Sequence, residues 1–263
     1  DHFALAWVSA VHGKIHQLLP RGEEDPALAK HSDGRDLVAV ESQENALIEQ
    51  YRAQLERNGL SHGVLIQPSF LGTDNHFMLD ALRRYPQQLR GIAVVHPRIT
   101  DAELDELGDA GVVGIRLNLV GKSLDDYEQP VWQALFMRLA RRGWQVEIQR
   151  RFEDLDSIVP VILGSGVTLV IDHFGLPDAE PIAGKGWLTL LGNAPLWVKL
   201  SAPYRSQSDL ARAQSLLACL RESAGGIDQL LWGSDWPHTQ FEDQTDYSAQ
   251  LAFFQALLPD AQE

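Results

Sequence analysis

Eight short apolar runs recur along the chain, roughly every 30 residues, each followed by a segment of helical spacing. This alternation limits the fold more than any other feature. The runs are Phe3–Val11, Gly63–Gln67, Gly91–Val95, Val112–Leu117, Trp144–Ile148, Thr168–Ile171, Leu196–Leu200 and Gln229–Trp232. Most are continuous rather than alternating, the pattern of strands buried on both faces of a parallel sheet. Between them, Asn45–Arg57 places Ile48, Tyr51 and Leu55 on one face, and Asp74–Tyr85 does the same with Phe77, Met78, Ala81 and Leu82. Thr100–Leu107 opens with a capping box, Thr100 and Glu103. Val131–Arg142 stops at Gly143. Leu155–Leu163 carries Pro160 and is expected to start late or kink. Trp187–Leu191, Asp209–Leu220 and Tyr247–Leu258 complete the set.

Eight such units in 263 residues predict an α/β protein, a single (β/α)8 TIM barrel over residues 1–263. The alternative is an open doubly wound sheet, which would usually place a Gly-rich phosphate loop after its first strand. Gly164-Ser165-Gly166 precedes a strand instead and reads as a turn.

The formal net charge of −14 argues against nucleic acid or an anionic membrane as partner, since both need clustered Lys and Arg. A small anionic ligand needs only a few local cations. The single cysteine, Cys219, permits no internal disulfide and no cysteine-based zinc site, which fits a reducing compartment. Phe3–Val11 has neither the basic flank of a signal peptide nor the length of a membrane span. The expected location is cytoplasmic.

Polar residues gather at the C-terminal ends of the runs, where barrels of this class place their chemistry. The ends read Gln67-Pro68-Ser69-Phe70, His96-Pro97, Arg116-Leu117-Asn118, Gln149-Arg150, Asp172-His173-Phe174-Gly175, Lys199 to Arg205, and Ser234-Asp235-Trp236-Pro237-His238. Asp235 leaves an apolar strand and meets a proline two residues later, which presents one acid to a pocket. It is the expected general base; the plain alternative is a turn-forming strand cap. His173 is expected to polarise a carbonyl, bind a metal or hold a carboxylate, against a simple bond to a backbone carbonyl. Asp172 beside it then points the other way and is read as structural. Arg116, Arg205 and Lys122 are the expected anion clamp, with an Arg116–Glu147 salt bridge as the alternative. Ser69 and Asn118 could add neutral hydrogen bonds. Ser69 lacks the flanking glycines of a nucleophile elbow. His96 and His238, each beside a proline, are read as turn residues.

These segments resemble a known family. His62-Gly63-Val64-Leu65-Ile66-Gln67-Pro68-Ser69-Phe70-Leu71-Gly72-Thr73-Asp74-Asn75, Gly114 to Asn118, Asp172 to Gly175, Trp197 to Arg205 and Trp232 to His238 are similar to motifs of the amidohydrolase-2 group of the amidohydrolase superfamily, around the 2-pyrone-4,6-dicarboxylate hydrolases and related lactonases. The resemblance implies a metal-dependent-hydrolase-like barrel that opens a small carboxylated lactone in aromatic-compound degradation. It gives Asp235 the role of deprotonating water and His173 that of polarising the carbonyl. Arg116, Arg205 and Lys122 would hold substrate carboxylates, with Ser69, Asn118 and Tyr204 beside them. The family's first-strand His-x-His pair is represented by His12 and His16, three residues between them. On a strand these lie ~13 Å apart, too far to share an ion without a bend. Gln145 and Gln149 stand where close relatives carry two histidines. No cofactor is implied as obligatory; a divalent metal, zinc or manganese, would use His12, His16, His173 and Asp235. The expected partner is a small anionic lactone or carboxylate, with a homo-oligomer left open. The alternatives are a zinc-dependent decarboxylase of the same superfamily and a non-catalytic carboxylate-binding barrel.

Overall fold

A computed structural model describes residues 5–9, as backbone only, and 48–258. Its strands are all parallel and follow sequence order: β1 (Leu5–Ser9), β2 (His62–Ile66), β3 (Leu89–Ala93), β4 (Val112–Asn118), β5 (Gln145–Gln149), β6 (Thr168–Ile171), β7 (Leu196–Ser201) and β8 (Leu230–Gly233). The segment from β2 to β8 is one continuous curled sheet. β1 pairs with β2 from Leu5↔His62 to Ser9↔Ile66, and meets β8 at Trp7↔Gly233. Each strand lies within a few residues of its apolar run.

Helices cover the outer face: α1 (Ile48–Arg57), α2 (His76–Arg84), α3 (Asp101–Asp109), α4 (Pro130–Arg141), α5 (Leu155–Leu163), α6 (Leu210–Ala224) and α7 (Tyr247–Leu257). The capping box of α3 is formed, with Thr100 Oγ1 accepting from the Glu103 amide and Glu103 accepting from the Thr100 amide. Two expectations need correction. Trp187–Leu191 is not an α-helix but a 3-10 turn over Gly186–Leu190. Gly186 enters it with a left-handed φ of 57°, and Asp156 accepts from the Trp187 amide and fixes its start. Helix α5 also does not start late, but runs from Leu155 through Pro160. A proline there costs about 3 kcal/mol. Leu155, Ile158, Val159 and Ile162 are buried on its inner face, and each contributes roughly 1.5–3 kcal/mol.

The period-two geometry of a strand decides what faces where. On β5 and β7, Val146, Ile148, Val198 and Leu200 join the outer core under the helices. Glu147, Gln149, Lys199 and Ser201 alternate with them and face the other way. Val64, Ile66 and Ile92 make a separate small apolar cluster with Val113 and Leu231. The inside of the curl is therefore apolar beside β2 and β3 and charged beside β5 to β7. Gly63 lets α1 lie close on β2, since a Cβ there would sit 2.3 Å from the Tyr51 hydroxyl. Among the described residues no helix is long and apolar enough to cross a membrane.

Candidate active site

Three loops leaving the sheet build the site. After β6, Asp172 leads into a tight turn over His173–Gly175; after β7, Ala202 leads into a turn over Pro203–Ser206; after β8, the chain continues through Ser234-Asp235 and a cis Trp236–Pro237 peptide. His173, Ala202, Asp235 and His238 all hold positive φ, between 46° and 66°. Side chains in this conformation cost on the order of 1–3 kcal/mol each, and such strain persists where surrounding structure fixes it. Here it turns His173, Asp235 and His238 inward, all three at least 96% buried.

The hydrogen bonds around Asp235 are directional. Oδ2 accepts from the Tyr204 hydroxyl at 2.5 Å and from Arg205 Nε at 2.7 Å. Among the described residues Oδ1 has no hydrogen-bond partner and faces His173 Nε2 at 3.8 Å, which also has none. That distance is too long for a direct bond and short enough for one oxygen atom to bond both. The other His173 nitrogen, Nδ1, shares a 2.9 Å bond with Ser201 Oγ. Burial pushes the Asp235 carboxyl up, but the Arg205 guanidinium and the Tyr204 hydroxyl outweigh it and hold it below the usual carboxylate range. Burial pulls His173 down to about 4, against the opposing charge of Asp235. The pair is thus a carboxylate and a neutral imidazole at neutral pH, not an ion pair.

Beneath this group lies a buried ladder of charges. Lys199 Nζ bonds Glu147 and lies 3.0 Å from Asp172 Oδ1. Asp172 Oδ2 takes Arg116 Nη2 at 3.1 Å, and the same nitrogen donates to Gln149 Oε1 at 2.5 Å. Two acids therefore meet two cations at nearly buried positions. Burial pushes Asp172 up, yet Lys199 and Arg116 prevail and hold it well below its usual range. For Glu147 burial prevails over Lys199 and moves it up to about 7.

The structure brings together His173, Asp235, Tyr204 and Arg205, four of the residues singled out from the sequence. Arg116 is buried close by, but its partner is Asp172 and not Glu147. Asn118 ends β4 and is half-buried, while Lys122 and Ser69 sit on exposed loops. His12 and His16 lie outside the described residues. His96 is the turn residue expected, its Nδ1 accepting from the Arg98 amide. His238 is not merely a turn residue: it is buried, and its Nδ1 lies 3.2 Å from the Tyr204 hydroxyl.

A family model described as Amidohydrolase matches residues 20–263. The chain belongs to the amidohydrolase family. Among curated relatives of this amidohydrolase, the 2-pyrone-4,6-dicarbaxylate hydrolase of Comamonas testosteroni is 28% identical over 90% of the chain and 83% of the relative. The 4-sulfomuconolactone hydrolase of Rhizobium radiobacter is 30% identical over 74% of the chain and 68% of the relative. Among solved structures, a putative 2-pyrone-4,6-dicarboxylic acid hydrolase from Pseudomonas putida is 37% identical, with a TM-score of 0.81 over 100% of the chain and 93% of that structure. A probable 2-pyrone-4,6-dicarboxylic acid hydrolase from Acinetobacter baumannii, with citric acid bound, is 30% identical with a TM-score of 0.82, covering 99% of the chain and 94% of that structure.

Amidohydrolases commonly carry a divalent metal, and the donor set tests whether one fits. Among the described residues, the unpartnered donors that face each other are His173 Nε2 and Asp235 Oδ1. Asp235 Oδ2 is already taken by a guanidinium, whose charge opposes a second cation. Among the described residues no group of three or more His, Cys, Asp or Glu converges as metal ligands. The described residues by themselves supply two donors beside an arginine, fewer than a zinc or manganese site needs. The histidines expected to complete one, His12 and His16, lie outside the described residues, so no step is routed through a metal.

Sequence reading missed three contributors. Ser201 and Lys199 look like ordinary strand residues until β7 is placed beside β6, and His238 looks like the end of a turn. Lys199 carried the one available signal: a charged residue in the middle of an apolar run needs a buried partner.

Proposed function

We propose that residues 1–263 form one (β/α)8 barrel that hydrolyses a small carboxylated lactone of the 2-pyrone-4,6-dicarboxylate type. The observation that carries the mechanism is the 3.8 Å separation of two buried atoms without hydrogen-bond partners among the described residues, Asp235 Oδ1 and His173 Nε2. A water oxygen placed at Oδ1 loses its proton to that oxygen as it attacks the ring carbonyl carbon. The ring C–O bond then breaks, and the proton passes from Asp235 to the departing ring oxygen. The products are a hydroxyl and a carboxylic acid, and the acid then releases its own proton to solvent. A carboxyl held below its usual range is ionised throughout the neutral range, at some cost in basicity. To polarise the carbonyl, His173 must present Nε2–H, which requires Ser201 to donate to Nδ1. In this reading His12 or His16 helps to polarise the same carbonyl.

Arg205 meets a substrate carboxylate in this reading, which its position beside the base and its partial opening to solvent support. Arg116, Lys122, Ser69, Asn118 and Tyr204 complete the proposed substrate contacts. The names of the Comamonas and Rhizobium relatives, both lactone hydrolases, support the substrate class. The citric acid in the Acinetobacter structure supports an affinity for carboxylates. The test is hydrolysis of 2-pyrone-4,6-dicarboxylate and a muconolactone by wild type and Asp235→Asn. Wild type should turn over at least one of them, and the variant should lose about 10²–10⁴-fold in kcat. A fully active variant would remove Asp235 as base. A wild type inert toward both lactones would remove the substrate class.

A further inference from the structure

Tyr204 has one hydroxyl proton and two neighbours that could take it. Asp235 Oδ2 lies at 2.5 Å and His238 Nδ1 at 3.2 Å. Asp235 is a carboxylate and has no proton to give, so the shorter contact is Tyr204 donating to Oδ2. Burial, then the charge of Asp235, pushes the Tyr204 phenol well above its usual 10, so it stays protonated. The Tyr204 oxygen is then the acceptor in its contact with His238, and the proton in that contact sits on Nδ1.

We propose that His238 is a positioning residue for the lactonase reaction, an Nδ1–H donor that orients the Tyr204 hydroxyl onto Asp235 Oδ2. The inference rests on the lactonase reading for its catalytic consequence, though not for its geometry. The chain runs His238 Nδ1–H to Tyr204 Oη, and Tyr204 O–H to Asp235 Oδ2. Arg205 Nε–H arrives at the same oxygen from another side. With Oδ2 occupied twice, the proton from water has only Oδ1 to go to. His238 is the outer anchor of that selection: it fixes the rotor of a hydroxyl that would otherwise point either way. Its other nitrogen, Nε2, is buried with no hydrogen-bond partner among the described residues, as suits a bare lone pair on a neutral ring. Burial pulls His238 down to about 4, which agrees with a neutral ring. Phe241 packs at 4.8 Å from the Tyr204 ring and holds it from the other side.

The tautomer is directly observable. In ¹⁵N-labelled protein at pH 7, long-range ¹H–¹⁵N correlations of His238 should show a protonated Nδ1 and a bare Nε2. The reverse tautomer, Nε2–H, would mean that Tyr204 donates to His238, and would overturn the proposal. Kinetics supply the second arm. His238→Asn places an amide donor near the position of Nδ1 and should keep kcat within about threefold, whereas His238→Leu removes the donor and should cost about 10-fold in kcat, the equivalent of roughly one hydrogen bond. In a Tyr204→Phe background, His238→Leu should have no further effect on kcat. A loss that persists at full size there would show that His238 acts by another route and overturn the relay. The NMR reading needs no turnover. Absence of lactone hydrolysis in the wild type would therefore count against the function alone, and an Nε2–H tautomer against the relay alone.

Discussion

The two ends of the sheet solve the same backbone problem differently. Loops entering the strands take left-handed turns on glycine, such as Gly143 before β5 and Gly166 before β6. Loops leaving β6, β7 and β8 take most of theirs on side chains, with Gly175 a glycine among them. Among the described residues every non-glycine with a positive φ lies in those three loops: His173, Phe174, Leu176, Ala202, Gln207, Asp235, His238 and Gln240. Glycine relieves such a turn at no steric cost, so the entry end follows the rule for stability. The exit end keeps a Cβ where glycine would be easier, and three of those side chains are the site's own His173, Asp235 and His238. Strain at one end only marks where the fold gives up stability for chemistry.

The comparison can be broken from either end. The largest stability effect is expected beneath the exit end, at the buried ladder. Lys199→Met leaves Glu147 and Asp172 short of a cation and should cost about 3–5 kcal/mol in urea unfolding. An equal loss from Asp235→Asn would erase the distinction between the supporting charges and the working one. The ladder should also respond to pH. Glu147 is raised in the fold from 4.5 to about 7, so between those values the folded chain binds more protons than the unfolded one, and this group's contribution weakens as pH rises. Asp172 and Asp235 are shifted the other way, so their contributions are lost as pH falls through the acid range below the usual carboxylate value. Glu147→Gln should therefore flatten the decline in Tm between pH 4.5 and 7 while leaving the acid limb in place. An unchanged decline would remove Glu147 as its source.

Smaller effects test the loops themselves. Gly143 has φ 67° and nothing within 4 Å of a built Cβ, so Gly143→Ala reads conformational strain alone. It should destabilise by about 1–2 kcal/mol without altering kcat. At the exit end, Gln207 is exposed with φ 52°, and Gln207→Gly should be neutral or stabilising by up to about 1 kcal/mol. Destabilisation there would mean that the exposed side chain carries more than its backbone cost.

Much of the scaffold and part of the site were legible in the sequence, for physical reasons. Strands β2 to β8 show because a parallel sheet covered on both faces demands unbroken apolar runs. Asp235 and His173 show because a charged or basic group at the mouth of such a run is costly unless used. The pairings did not show, because they depend on register and reach. Arg116 and Glu147 are aligned partners on neighbouring strands, which favours the salt bridge expected between them. The long arginine instead reaches past its aligned partner to Asp172 and Gln149, at the ends of β6 and β5, while Lys199 claims Glu147 from two strands away. Arg205 was legible as a cation at the mouth, but not as a partner of the base. Only the fold of the loop after β7 brings the two together. Pro160 was over-read, since sequence shows the missing amide but not the four buried side chains that offset it.

The double occupation of Asp235 Oδ2 has a geometric consequence of its own. A carboxylate free to rotate could approach a flat ring carbonyl from above or below. One whose second oxygen is clamped by Tyr204 and Arg205 has a fixed vantage, with His173 on its open side. On the proposed reading, water is then delivered to one face of the ring. For a lactone with a stereocentre this makes the site handed, opening one mirror image in preference to the other.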